Sequence, residues 1–297
     1  MNATICLLSK NSRSFRAARS ALGAVAALGL VLIAGYRTAG GPESADSHSD
    51  WLKSWREANP VWRGVHLSAR NDGQVGALAA ELPRLAGLGV NVIVLEVDYN
   101  FQFRSHPEIA PSQAISEPGA RALAQAARRH GIRLIPQLNC LGHQSWSKTT
   151  DRLLETHPEF DETPGQFPGN QGIYCRSWCP QNPEVNPFVF ALIDELCEAF
   201  QADAFHVGMD EVFEKQAAYP SVPLLLQKGF RVWPSGWQPL EATQAFSAYA
   251  RQQNDKRLLG YLCTTWGKVK IADTAQWPPV AEVLPAWRRA AEIRSPK

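Results

Sequence analysis

The chain has almost no excess charge of either sign: 30 Lys and Arg stand against 28 Asp and Glu, a formal net charge of +2. Its basic residues are scattered apart from Arg13, Arg16 and Arg19. Without a basic stripe there is no electrostatic footprint for nucleic acid, and none is expected as a partner. Zinc-ligand spacing is also missing. Cys175 and Cys179 form one close pair, and neither a second Cys pair nor a nearby His pair completes it. Short-period repeats are absent, as is any composition shift that would mark a second domain. The longest apolar run, residues 21–36, is shorter than the about 20 residues that a full membrane span needs.

What is present is an ordinary globular composition, 297 residues with 45% hydrophobic and 20% charged, able to bury a large core. Ten Trp are unusual. Core packing accounts for most of them, and flat indole faces also serve sugar pockets. At the N-terminus, Lys10, Arg13, Arg16 and Arg19 precede the small and apolar residues 21–36, with Thr38-Ala39-Gly40 beyond. This reads as an export signal, or alternatively as an uncleaved anchor. Residues 1–40 are therefore expected to be a signal or anchor, 41–50 a polar linker, and 51–297 one folded domain starting near Trp51. The implied location is periplasmic or extracellular, with any membrane contact only through residues 21–36. Five Cys follow the leader. Cys175 and Cys179 can pair if the chain is exported; otherwise all five are small buried apolar residues.

Strand and helix patterns alternate from Arg63 onward. Strands are expected at 63–69, 91–99, 133–141, 204–211, 229–233 and 258–266. Helices are expected at 72–88, 117–130, 152–155, 184–200, 221–228 and 241–253. The run Val92-Ile93-Val94-Leu95 is typical of a strand buried on both faces. A repeated βα unit argues for an α/β fold of the (β/α)8 TIM-barrel type. Only about six strands are recognisable, four before Glu211 and two after, so the barrel is expected to be incomplete.

The most informative stretch is Phe205-His206-Val207-Gly208-Met209-Asp210-Glu211-Val212, an apolar strand ending in two carboxylates. The C-terminal end of a parallel strand is where barrel chemistry is built. Adjacent acids there repel each other and cost solvation. One carboxylate can orient a substrate group or stabilise positive charge. The other, with a raised pKa, can donate a proton.

In this stretch, His206-Val207-Gly208-Met209-Asp210-Glu211 resembles the His-x-Gly-Gly-Asp-Glu signature of family-20 glycoside hydrolases, the β-N-acetylhexosaminidases. Ser68-Ala69-Arg70, Leu141-Gly142-His143 and Cys179-Pro180-Gln181-Asn182-Pro183-Glu184 resemble other segments of that family in the same order. The likeness is good over residues 62–213 and looser beyond. It implies hydrolysis of terminal β-linked N-acetylhexosamine by a substrate-assisted retaining mechanism, with neither metal nor organic cofactor. By the same resemblance Asp210 and Glu211 are catalytic. Arg70, Asp98, His143, His206, Trp233 and Trp266 are candidates for holding the sugar. Met209 stands where the family has Gly, and Gln137 and Asn139 stand on a strand that usually offers acids. Only residues 212–220 separate Glu211 from the next expected helix, where the family has about two more βα units. That implies an internal deletion and a catalytically impaired, carbohydrate-binding alternative. A second alternative is a metal hydrolase using Asp210, Glu211 and His206.

Overall fold

The computed structural model describes residues 4–8, 30–32, 42–208, 226–227, 231–237 and 239–288. Its strands are β1 (Thr4–Leu8), β2 (Leu30–Leu32), β3 (Trp62–Ser68), β4 (Val92–Glu96), β5 (Arg133–Gln137), β6 (Ser145–Trp146), β7 (Thr149–Thr150), β8 (Arg231–Gly236) and β9 (Gly260–Thr264). The α-helices are α1 (Pro42–Ala58), α2 (Asp72–Gly87), α3 (Glu117–Arg129), α4 (Arg152–Thr156), α5 (Val185–Ala199) and α6 (Leu240–Gln252).

The main sheet runs in the order β2-β1-β8-β9-β3-β4-β5. Strands β8, β9, β3, β4 and β5 are parallel neighbours, and β5 continues the series through a parallel bridge from Gln137 to His206. Six parallel strand positions thus wrap one interior, an α/β arrangement of TIM-barrel type that is partial among the described residues. The strand expected over 204–211 is this bridge at His206. Met209, Asp210 and Glu211 lie outside the described residues, as does most of the helix expected at 221–228.

Local sequence explains the helices that clothe the barrel. Asn71 caps α2 by accepting from the Gln74 N–H, and Ser116 caps α3 by accepting from the Gly119 N–H. Asp72 Oδ1 accepts from the Ser116 backbone N–H at 2.9 Å, which ties the two helix starts together. Val75, Leu78, Leu82 and Leu85 form the buried stripe of α2 at helical spacing.

The inner face changes character along the barrel axis. Because side chains alternate, Trp62, Gly64, His66 and Ser68 share one face of β3. At the N-terminal end of the barrel, Trp62, Val92, Val94, Ile135, Leu262 and Trp233 form a buried apolar floor with Leu52 and Trp55 of α1. Trp55 packs edge-on to Trp62 at 6.0 Å and donates its indole N–H to the Gly131 carbonyl at 2.8 Å. Arg133 lies over the Trp62 ring at 4.8 Å and pairs with Asp203 through two bonds of 2.9 and 2.6 Å. Arg56 of α1 adds a third bond to Asp203 at 3.0 Å.

Helix α1 takes in residues 42–50 of the stretch expected as a linker, and Leu52 and Trp55 anchor that helix against the floor. Within residues 1–40, β1 pairs antiparallel with β8, and β2 pairs with β1. No helix among the described residues is long and apolar enough to cross a membrane.

Candidate active site

Polar groups gather at the opposite end of the barrel. Arg70, Asp98, Asn139, Gly208 and Trp266 each stand two residues past Ser68, Glu96, Gln137, His206 and Thr264, the last interior positions of their strands. They ring one mouth. Asn139 donates its backbone N–H to Asp98 Oδ1 at 2.9 Å, and Gln137 Nε2 donates to Asn139 Oδ1 at 2.9 Å. His66 Nε2 lies 3.2 Å from Glu96 Oε2, and the His66 ring meets the Trp266 ring at 4.8 Å. Tyr99 donates its hydroxyl to Gln144 Oε1 at 2.5 Å, and Gln144 Nε2 in turn donates to the carbonyls of Asn139 and Gly142.

Backbone strain concentrates at the same place. Asp98 (φ +49°), Leu141 (+68°), His143 (+55°) and Trp266 (+48°) are all left-handed without being glycine. Such residues cost about 1–3 kcal/mol each and cluster where a structure holds side chains for use. Gly208 is also left-handed, at φ +52°, and a Cβ there would lie 2.2 Å from Asn139 Oδ1. Glycine is what lets the chain turn against β5 at this point.

The electrostatics of the mouth are uneven. Burial raises the Glu96 carboxyl, but the contact with His66, then Ser68 and the charge of Arg70, outweigh it and hold the group below its ordinary value. Asp98 is pushed well above its ordinary value by burial and by the nearby Glu96 charge. Asp151 is raised to about 6, chiefly by burial, against the opposing pull of His143 and Arg70. His206 is lowered to about 3 by burial and by its neighbour His66, so it is neutral at physiological pH. Its Nδ1 accepts from the Gly208 N–H at 3.1 Å.

Of the residues singled out by sequence, Arg70, Asp98, His143, His206 and Trp266 come together here. Arg70 is exposed, His206 is buried, and the other three are half-buried. Trp233 does not join them. It is fully enclosed in the floor, edge-on to Trp62 at 5.3 Å, in the space that Gly64 leaves by having no side chain. An indole closed on both faces offers no sugar platform. His66, Glu96 and Asp151 were missed. The signal for the first two was strand alternation, which places His66 with Ser68, and Glu96 with Asp98, on the inner face. The Cys175–Cys179 pair is present as two thiols.

A partial parallel barrel whose mouth carries an arginine, paired acids and histidines has the architecture of a TIM-barrel glycosidase domain. Residues 103–277 match the family model of the glycosyl hydrolase family 20 catalytic domain, more than half of the chain, and the chain belongs to that family. The match extends well past residue 213, into the stretch where the sequence motifs are looser. Among relatives, the mouse (Mus musculus) β-hexosaminidase subunit beta is 29% identical over 150 residues, 46% of this chain and 26% of that protein. The Entamoeba histolytica β-hexosaminidase subunit beta is 22% identical over 239 residues, 75% of this chain and 40% of that protein. The solved Flavobacterium johnsoniae chitobiase shares the fold, with a TM-score of 0.52 at 18% identity over 76% of this chain and 48% of that one. The chain thus spans less than half the length of these relatives.

Proposed function

We propose that the protein hydrolyses terminal β-linked N-acetylhexosamine at the barrel mouth. The observation that carries this is the convergence of Arg70, Asp98, His143 and Trp266 where the chain leads from Gly208 towards Asp210 and Glu211. In the proposed reaction the substrate's acetamido oxygen attacks its own anomeric carbon as the glycosidic C–O bond breaks. Glu211 gives its proton to the leaving oxygen. Asp210 orients the acetamido N–H and stabilises the oxazolinium ion. Water then attacks the anomeric carbon, Glu211 takes its proton, and the sugar leaves with retained configuration. Arg70 holds ring hydroxyls, and Trp266 offers a half-buried apolar face beside His66. The relatives' names, β-hexosaminidase and chitobiase, support the same substrate class.

The test is turnover of a chromogenic N-acetylglucosaminide beside the matching glucoside, with and without chelator. Selective, chelator-insensitive turnover supports the reading. Glu211→Gln should then cost about 10²–10⁴-fold in kcat while binding persists. Unchanged turnover in that variant removes Glu211 as the acid.

A second reading is sugar binding with impaired turnover. It is favoured by one feature of the sequence: only residues 212–220 separate Glu211 from the next expected helix, where the family resemblance calls for about two more βα units. A missing wall would misplace the acetamido group, and errors of about 1 Å already cost 10²-fold in rate. Calorimetric binding of N-acetylglucosamine without turnover selects this reading. We also propose export through residues 1–40, testable by N-terminal sequencing of the mature protein.

A further inference from the structure

Charge is unevenly spread around the mouth. Its acids, Glu96, Asp98 and Asp151, belong to the segments at the end of β4 and after β7. The segment past β9 is different: residues 265–270 contain Lys268 and Lys270 and no acid.

Trp237 directly follows β8, and alternation puts it on the inward side with Trp233 and Ser235. Its carbonyl accepts from Thr243 Oγ1 at 2.8 Å, and the Gly236 carbonyl accepts from Thr264 Oγ1 at 3.1 Å, so the position is fixed from α6 and from β9. The indole Nε1 is buried and has no hydrogen-bond partner among the described residues. A buried donor in that state carries a desolvation cost that an acceptor relieves. Lys268 lies over the same indole, with Nζ 4.7 Å from the ring centroid. Its backbone N–H donates to the Thr265 carbonyl at 3.1 Å, in a turn through Gly267 at φ +65°. A Cβ on Gly267 would stand 3.4 Å from Ser68 Oγ, so the turn rests against the end of β3, two residues from Arg70. Lys268 is exposed and makes no ion pair with a carboxylate among the described residues. The ring face holds its ammonium in place without accepting conventional hydrogen bonds from it.

We propose that Lys268 and the Trp237 indole N–H form a subsite for an anionic oxygen group, a sulfate or phosphate ester, on the N-acetylhexosamine held at the mouth, which makes Lys268 a specificity-determining residue. This rests on the mouth being the site of the terminal sugar. An ester oxygen that draws the ammonium off the ring face gains a charge-assisted hydrogen bond from Nζ. The same group offers the indole N–H the acceptor it lacks.

The experiment is calorimetric binding of N-acetylglucosamine, its 4-sulfate, its 6-sulfate and its 6-phosphate to the full chain and to Lys268→Ala, Lys268→Arg, Lys268→Glu and Trp237→Phe. The wild type should bind at least one ester about fivefold or more tighter than N-acetylglucosamine at low ionic strength, and the preference should shrink in about 0.5 M salt. The sulfate and phosphate arms identify which ester the subsite takes. Lys268→Ala should bring the preference down to about twofold or less, Lys268→Arg should keep it, and Lys268→Glu should reverse it. Trp237→Phe keeps an aromatic ring without the N–H and should lower the preference part of the way. Equal or weaker binding of every ester in the wild type, with N-acetylglucosamine still bound, overturns the anionic subsite alone. So does a preference that Lys268→Ala leaves unchanged. No binding of any of these ligands to the wild type overturns the mouth as a sugar site, and the subsite with it.

Discussion

Gly208→Ala is the sharpest probe of the link between backbone geometry and the site. The residue has φ +52°, and a Cβ would stand 2.2 Å from Asn139 Oδ1 and 3.0 Å from the Asn139 backbone. Two costs combine. The left-handed conformation costs an L-residue about 1–2 kcal/mol. Overpacking a closed site costs about 1–3 kcal/mol. Asn139 cannot simply swing away, because its side chain accepts from Gln137 and its backbone N–H is held by Asp98. The sum is roughly 2–5 kcal/mol, or a fall of about 1 M in the urea midpoint for a slope near 3 kcal/mol/M. Adding Asn139→Ala should remove the Oδ1 part of the clash, so the two changes should couple favourably by about 1 kcal/mol in a double-mutant cycle. The crowding against the Asn139 backbone would persist. Urea unfolding at pH 7 measures both. A Gly208→Ala loss below about 0.5 kcal/mol would refute the left-handed turn against β5.

Trp233→Ala should cost about 3–5 kcal/mol by opening a cavity in the floor, while N-acetylglucosamine affinity stays unchanged; a selective loss of sugar binding would return Trp233 to the site. Asp203→Asn leaves Arg133 buried without its carboxylate and should cost about 3–5 kcal/mol in urea unfolding, reduced to the extent that the Trp62 face still holds the cation. His206 is neutral in the fold because its pKa is lowered to about 3. Below about pH 6.5 the unfolded chain therefore binds a proton that the folded chain refuses, and stability should fall by roughly 3–5 kcal/mol between pH 6.5 and 3. His206→Gln should flatten that slope, and a slope unchanged by the substitution would show that other groups carry it.

The barrel strands were legible because each is a short apolar run bounded by turn residues. Val92–Glu96 and Arg133–Gln137 fall inside the stretches expected from sequence. Helices α2, α3, α5 and α6 agree with expectation to within a residue or two, since capping residues such as Asn71 and Ser116 mark their starts. Helix α1 was not legible. Its first turns are polar, and its reason for folding is tertiary: Leu52 and Trp55 close the barrel floor. The hairpin of β6 and β7 was missed for a related reason. It is too short for periodicity, and a buried arginine holds it from across the loop.

The same reasoning explains why the mouth was readable and the role of Trp233 was not. Alternation says which residues point inward, but not at what depth along the barrel axis. Trp62 and Trp233 are inward and low, where the lining is aliphatic and closed by α1. His66, Glu96, Gln137 and His206 are inward and high. Apolar burial in the lower layer is favourable in itself. Polar burial in the upper layer is not, unless partners are found. Some are: Glu96 has His66, and Asp98 has Asn139. Others are not, since Gln137 Oε1 and His206 Nε2 are buried without a hydrogen-bond partner among the described residues. A fold that accepts this cost beside four left-handed non-glycine residues at the same end gains nothing in stability from it. The unfavourable terms collect at the mouth, beside Gly208, the last described residue before the sequence Met209-Asp210-Glu211.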